Sequence, residues 1–355
     1  MKKQFNILIV LFFIPIAIWA NNIDLGNYTK QKNIKKAYFV NNDAGIDISN
    51  SYGSVYVTTW NEDKIELDIV IKVSGDNENW VIKKLDEIDV SIEALKSLVT
   101  AQTNIAKTNY KNNWKNNSIE INYTIKIPKN GSVKIDNKYG EIITTDLFAN
   151  TDLNCKYGKI TLAKLNGSSN TIHIDYCSKS TIDYIKSGNI NADYSGLTIN
   201  EFGKINLQAD YTDLNFLDGN DLKYNCSYGK LLLGKIHNLD GNGDYLSIKV
   251  NQIFNNLQIE TSYSKIAIAE MDAKANNINI NSEYTAVEIG YDANYVFDFD
   301  INVKYADFKY ESDLEIASKQ VSNFNKSYQG YHKRSGQNKI DINSSYGKVS
   351  LNQKN

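Results

Sequence analysis

The chain has almost no proline and almost no arginine: two prolines, Pro15 and Pro128, in 355 residues, and Arg334 as the single arginine. So few prolines leave long backbone runs free to donate to ladders, and suit stacked strands and polar turns better than disorder. The missing arginine argues against nucleic-acid binding, which favours a basic, arginine-bearing face. Long apolar runs are absent after residue 20, so no later segment has the roughly 20 apolar residues that a membrane-spanning helix needs. Histidine is scarce too. His173, His237 and His332 show no metal-ligand spacing, and no nucleophile elbow, P-loop or dinucleotide fingerprint occurs. These absences point away from catalysis, and no catalytic residue, cofactor or bound metal is expected.

Residues 1–20 have the form of a secretory signal peptide: Lys2 and Lys3, an apolar stretch from Phe5 to Trp19, then Ala20 at a plausible cleavage point. No cysteine stands directly after that point, so a lipid anchor is not indicated. Removing Lys2 and Lys3 from the 39 basic residues leaves 37 against 41 acidic ones, a net charge of −4. An exported location follows, in the periplasm or at the cell surface.

What the chain has is tyrosine at a fixed period. The anchors are Tyr52, Tyr139, Tyr157, Tyr176, Tyr194, Tyr211, Tyr228, Tyr245, Tyr263, Tyr284, Tyr305 and Tyr346. From Tyr139 to Tyr263 the steps are 18, 19, 18, 17, 17, 17 and 18 residues. Apolar residues recur six and four before the tyrosine and three and five after it. Ile205, Leu207, Leu214 and Phe216 fill those places around Tyr211. Each half alternates with period two, as a half-buried strand does. The parity changes between the halves, which requires a corner next to the tyrosine. Gly53, Gly140, Gly158, Gly229 and Gly347 directly follow their anchors, with Ser195, Thr212 and Ser264 elsewhere. Such residues suit a tight, positive-φ corner.

Alternation and turn spacing also fit an antiparallel meander closing into a sandwich or barrel. Identical residue types at identical offsets favour stacking. The expected fold is therefore all-β, a parallel β-solenoid of twelve short coils, right-handed being the commoner hand. Parallel stacking would set equivalent tyrosines about 4.8 Å apart in a ladder. Shared parity with the apolar positions makes the rings of Tyr139, Tyr157, Tyr176, Tyr194, Tyr211, Tyr228, Tyr245 and Tyr263 corner-filling core residues, with hydroxyls at the rim. The alternative is an aromatic stripe that binds sugar or peptide.

The organisation follows from the period. After the leader, residues 21–60 hold a polar lead-in and the first coil. The period then breaks over 61–128, where Ile65–Val73 and Ile119–Ile127 alternate as strands around a short helix near Asn77–Ile88, with Thr103–Asn117 as a loop. This insertion would cap the N-terminal end. The regular array spans 129–310, a surface loop 311–339, and a last coil 340–355.

Two constellations stand out. Asp175, Asp193 and Asp210 precede the tyrosine in three consecutive coils, and Asp244 does so two coils on. Stacked carboxylates repel and splay into water, or hold a cation such as Ca²⁺ between them. Cys155 and Cys226 share a small inward place four coils apart, roughly 19 Å on the stacking rise, beyond disulfide reach. Cys177 has the opposite parity, so no disulfide is expected.

Asn50-Ser51-Tyr52-Gly53-Ser54-Val55 with Thr59-Trp60, Ile121–Pro128 leading into Asn137-Lys138-Tyr139-Gly140, and Asn343-Ser344-Ser345-Tyr346-Gly347-Lys348-Val349 together resemble the bacterial "putative adhesin" family of β-strand repeat proteins, DUF4097. The chain is also similar in style to autotransporter-type adhesin heads. The resemblance implies a non-enzymatic envelope protein with a protein or glycan surface partner. It also makes plausible a periplasmic accessory of envelope-stress signalling. A carbohydrate-binding or polysaccharide-active β-helix is the third possibility. Polysaccharide lyases of that shape usually need a strong base, often arginine, and the array carries only lysines.

Overall fold

The computed structural model describes residues 26–106 and 116–354. The leader at 1–20 and most of the expected loop at 103–117 lie outside them. The described residues are all-β, with 25 strands joined in one sheet and a single α-helix, Glu78–Asp86.

Successive repeats pair in parallel and in register. The strand before the tyrosine runs from Val133–Lys138 onto Thr151–Lys156, then Asn170–Asp175, then residues 188–193 and 205–210. The strand after it pairs likewise, Lys159–Leu162 on Glu141–Thr144 and Leu197–Ile199 on Leu214–Phe216. Branched aliphatics fill the interior. Ile135, Leu153, Ile172, Ile190 and Leu207 stand in register on the first strand, all buried. This inward column fits β-branched side chains, which pack well against neighbours on a pleated surface. Outward asparagines form amide ladders between repeats, as in Asn206 Nδ2 to Asn189 Oδ1 at 3.0 Å and Asn256 Nδ2 to Asn238 Oδ1 at 3.1 Å.

Chain order and stacking order part company at the C-terminal end. Residues 340–345 pair on one side with Ile278–Glu283 and on the other with the strand Phe297–Lys304. The final repeat is thus inserted between the two that precede it in sequence. The segment expected as a surface loop at 311–339 is instead a β-hairpin, Leu314–Val321 and Asn325–His332, antiparallel to Phe297–Lys304. Its charged and polar composition hid an amphipathic edge whose inward residues are Leu314, Tyr328 and His332. His332 is buried, with Nδ1 on the Tyr295 carbonyl and Nε2 3.3 Å from Asp313 Oδ2. The same Asp313 oxygen accepts the Tyr291 hydroxyl at 2.8 Å.

At the other end the first repeat, Gly45–Ser51 and Val55–Trp60, stacks on Val133–Lys138 and Glu141–Thr144. Its opposite side is covered by Leu98–Ile105 and Ser118–Pro128. The antiparallel strands Lys64–Gly75 and Tyr28–Phe39 extend that cover. The polar lead-in therefore is a strand. Its lysines, Lys30, Lys32, Lys35 and Lys36, sit on an edge where charge discourages pairing with another chain. The helix starts at Asn77, whose side chain accepts from Trp80 N at 3.0 Å.

Candidate interaction surface

The corner is built differently from the expectation. Positive φ falls on the tyrosine and not on the glycine after it: all twelve anchors have φ between +47° and +65°. A left-handed residue breaks the alternation of the strand, so its side chain leaves the inward row that parity had assigned to it. The rings stand outside the corner, 36–52 % exposed, and are not core residues. The following residue is small for another reason. A Cβ on Gly158 would lie 1.8 Å from the Gly140 carbonyl oxygen, and one on Gly140 1.9 Å from that of Gly53. Where serine or threonine replaces glycine, its hydroxyl accepts the corner N–H of the preceding repeat. Ser195 Oγ takes Cys177 N at 3.0 Å, and Thr212 Oγ1 takes Ser195 N at 3.1 Å.

A left-handed backbone costs an L-residue about 1–2 kcal/mol. Two interactions hold the tyrosines there. Their N–H groups donate to the next repeat, Tyr139 to the Lys156 carbonyl at 2.9 Å and Tyr194 to the Asp210 carbonyl at 3.0 Å. Their rings stack without a gap through all twelve anchors, with centroids 4.7–5.2 Å apart and planes within 12° of parallel. Such pairs contribute about 0.5–1.5 kcal/mol each beyond burial. The spatial order ends Tyr263, Tyr284, Tyr346, Tyr305, and Phe324 at the hairpin tip continues the row against Tyr305 at 5.0 Å. Tyr346, last in sequence, therefore has ring neighbours on both sides. Packing between its neighbours, then the phenols of Tyr346 and Tyr263, hold the Tyr284 hydroxyl above its ordinary pKa. Eleven steps of about 4.8 Å give an aromatic stripe roughly 50 Å long.

Beside the stripe, Asp175, Asp193 and Asp210 lie in register. They do not converge on a common point. Asp175 pairs with Lys156 at 3.4 Å, and Asp193 Oδ1 accepts the backbone N–H of Asp210 at 3.2 Å. Asp244 does the same for Ser262 N at 2.8 Å. Among the described residues no group of three or more His, Cys, Asp or Glu is placed to hold a metal ion. The carboxylates of Asp175, Asp193 and Asp244 thus bond within the ladder.

Cys155, Cys177 and Cys226 are buried free thiols. Opposite parity had separated Cys155 from Cys177, yet the corner between them reverses that parity. Cys177 Sγ lies 3.2 Å from the Cys155 carbonyl oxygen. Burial pushes the Cys226 thiol up to about 12. Of the remaining histidines, His237 stacks on Phe254 at 5.1 Å and His173 is exposed.

No family model and no curated protein matches the chain. The resemblance to DUF4097 therefore rests on the motifs alone. Solved structures do align with it. A "putative adhesin" from Parabacteroides merdae shares 12 % identity over 75 % of this chain and 94 % of its own, with a TM-score of 0.37. A "putative adhesin" from Parabacteroides distasonis shares 11 % over 91 % and 97 %, with a TM-score of 0.35. A "putative lipid binding protein" from Parabacteroides distasonis shares 12 % over 94 % and 99 %, with a TM-score of 0.27. Likenesses at such scores assign no role to this chain.

Proposed function

We propose that this chain is a non-enzymatic, exported envelope protein, an adhesin-type interaction scaffold built as a parallel β-solenoid. One observation carries the reading: a continuous row of stacked, half-exposed tyrosines on a rigid ladder. Exposed contiguous apolar surface of this extent marks an interaction site more often than a passive face. Tyrosine is also enriched where contact must be gained at small entropic cost, since its ring has few rotamers and carries a polar tip. Parallel in-register pairing over repeats of 17–19 residues supports the solenoid. The leader-like residues 1–20, the absence of catalytic motifs and the adhesin-like sequence motifs support export and a binding role.

Two experiments test this. Beads coated with the protein are applied to arrayed protein and glycan surfaces, with Tyr194→Asn, Tyr211→Asn and Tyr228→Asn combined as the comparison. Asparagine tolerates the left-handed backbone, so the scaffold keeps its shape while the stripe loses three adjacent rings. Bead attachment should fall several-fold; equal attachment would remove the stripe from the reading. Protease added to intact cells should degrade a surface scaffold, whereas protection until the envelope is opened would place the protein in the periplasm.

A further inference from the structure

A second feature lies beside the C-terminal end of the stripe and stands independently of it. A trough of about 990 Å³ runs across six strands, from Glu260–Ser262 to the hairpin. That volume is at the upper end of ligand-binding clefts. Its floor is an amide ladder on three adjacent strands: Asn343 Nδ2 donates to Asn281 Oδ1 at 3.2 Å, and Asn302 Nδ2 donates to Asn343 Oδ1 at 3.3 Å. The hairpin supplies the wall with the exposed side chains of Gln320 and Ser322. At the hairpin tip Phe324, 56 % exposed, leans on Tyr305 at 5.0 Å.

We propose that this trough binds a neutral oligosaccharide. The ladder amides have given their N–H groups to neighbouring side chains and keep carbonyl lone pairs for a ligand, while the exposed carboxamides of Gln320 and Asn325 add a donor beside an acceptor, the pairing that vicinal hydroxyls of a sugar require. Charge decides against an anionic ligand. Glu260 and Glu283 line the trough with Lys304 and Lys326, and Lys326 is already ion-paired with Asp307. No excess positive charge remains for phosphate, sulfate or uronate. The trough is open to solvent along its length, which suits a chain rather than an enclosed cofactor.

The test is saturation-transfer NMR and titration calorimetry of the intact protein with cellohexaose, xylohexaose, maltohexaose and chitohexaose, and with a hyaluronan hexasaccharide as the anionic probe. At least one neutral hexasaccharide should bind. Asn302→Ala and Gln320→Ala should each weaken it about fivefold, as expected for one lost hydrogen bond of about 1 kcal/mol. Gln320 is exposed, so its variant should keep the melting temperature, whereas Asn302→Ala also removes the bonds to Asn343 and Asp300 and should lower it slightly. Asn206→Ala, an amide rung far from the trough, should leave binding unchanged. The proposal is overturned if no neutral hexasaccharide binds or if only hyaluronan does. It is equally overturned if binding ignores both trough variants, or is lost with Tyr211→Ala and kept with Asn302→Ala.

Discussion

Replacing single rings of the stripe separates stacking order from chain order. Tyr211 touches Tyr194 at 5.0 Å and Tyr228 at 4.8 Å, so Tyr211→Ala removes two stacked contacts. At about 0.5–1.5 kcal/mol per pair the cost is about 1–3 kcal/mol. It should not reach the 3–5 kcal/mol typical of a buried aromatic, because the ring is 50 % exposed and leaves no internal cavity. Alanine also keeps the cost of φ +52°. Tyr211→Gly escapes that cost but adds backbone entropy to the unfolded chain, so it should be about 1 kcal/mol less damaging than alanine. Tyr346 lies between Tyr284 at 4.7 Å and Tyr305 at 4.9 Å. Tyr346→Ala should therefore match Tyr211→Ala, whereas Tyr52→Ala, with a single stacked neighbour in Tyr139, should cost about half as much. Urea midpoints of the four variants decide the matter. If Tyr346→Ala costs only as much as Tyr52→Ala, the intercalation of the final repeat is wrong.

Three further outcomes follow from the buried polar groups. His332→Ala strips the partner from the Tyr295 carbonyl and Asp313 in a buried site, and should cost about 2–3 kcal/mol in a denaturant melt; a change below about 0.5 kcal/mol would mean the hairpin is not docked there. Burial raises the Tyr123 hydroxyl from 10.0 to about 12, while it shares a 2.7 Å hydrogen bond with Thr103. Its contribution is complete below pH 10 and is lost as pH rises toward 12, on the order of 2–3 kcal/mol. Tyr123→Phe should flatten that part of the profile, and an identical alkaline loss in both proteins would refute the assignment. With all three thiols free, a reductant should leave the melting temperature of the native protein unchanged; a drop would reveal a disulfide.

Much of the fold was legible because stacking forces equivalent residues to share a chemical type. The inward columns at Ile205, Leu207, Leu214 and Phe216, the helix near Asn77 and the strands around Leu67 and Ile125 all follow from period two or its interruption. Three things did not follow. Parity counting assumes extended backbone, so a left-handed tyrosine defeats it at the one residue that matters most for the surface. The signal was present one position late, in the small residue after each anchor, whose size answers to the carbonyl beneath it. Stacking order is not written in a repeat whose copies are nearly interchangeable, and nothing in residues 340–345 distinguishes an end position from an internal one. The hairpin at 314–332 escaped notice because its outward face is as polar as a loop. The trough it walls could only be found once six strands, distant in sequence, were side by side.

The most direct test of the central claim is residue-resolved hydroxyl-radical footprinting of the tyrosines, on the free protein and on protein held at a protein or glycan surface that it binds. In the free protein the twelve anchors should all be oxidised, while buried Tyr123, Tyr224, Tyr291 and Tyr295 are spared. On the surface a contiguous run of anchors, in the order Tyr245, Tyr263, Tyr284, Tyr346, Tyr305 where it reaches that end, should become protected together. Anchors that resist oxidation in the free protein would return the rings to the core. Anchors oxidised equally in both states would show that contact is made elsewhere.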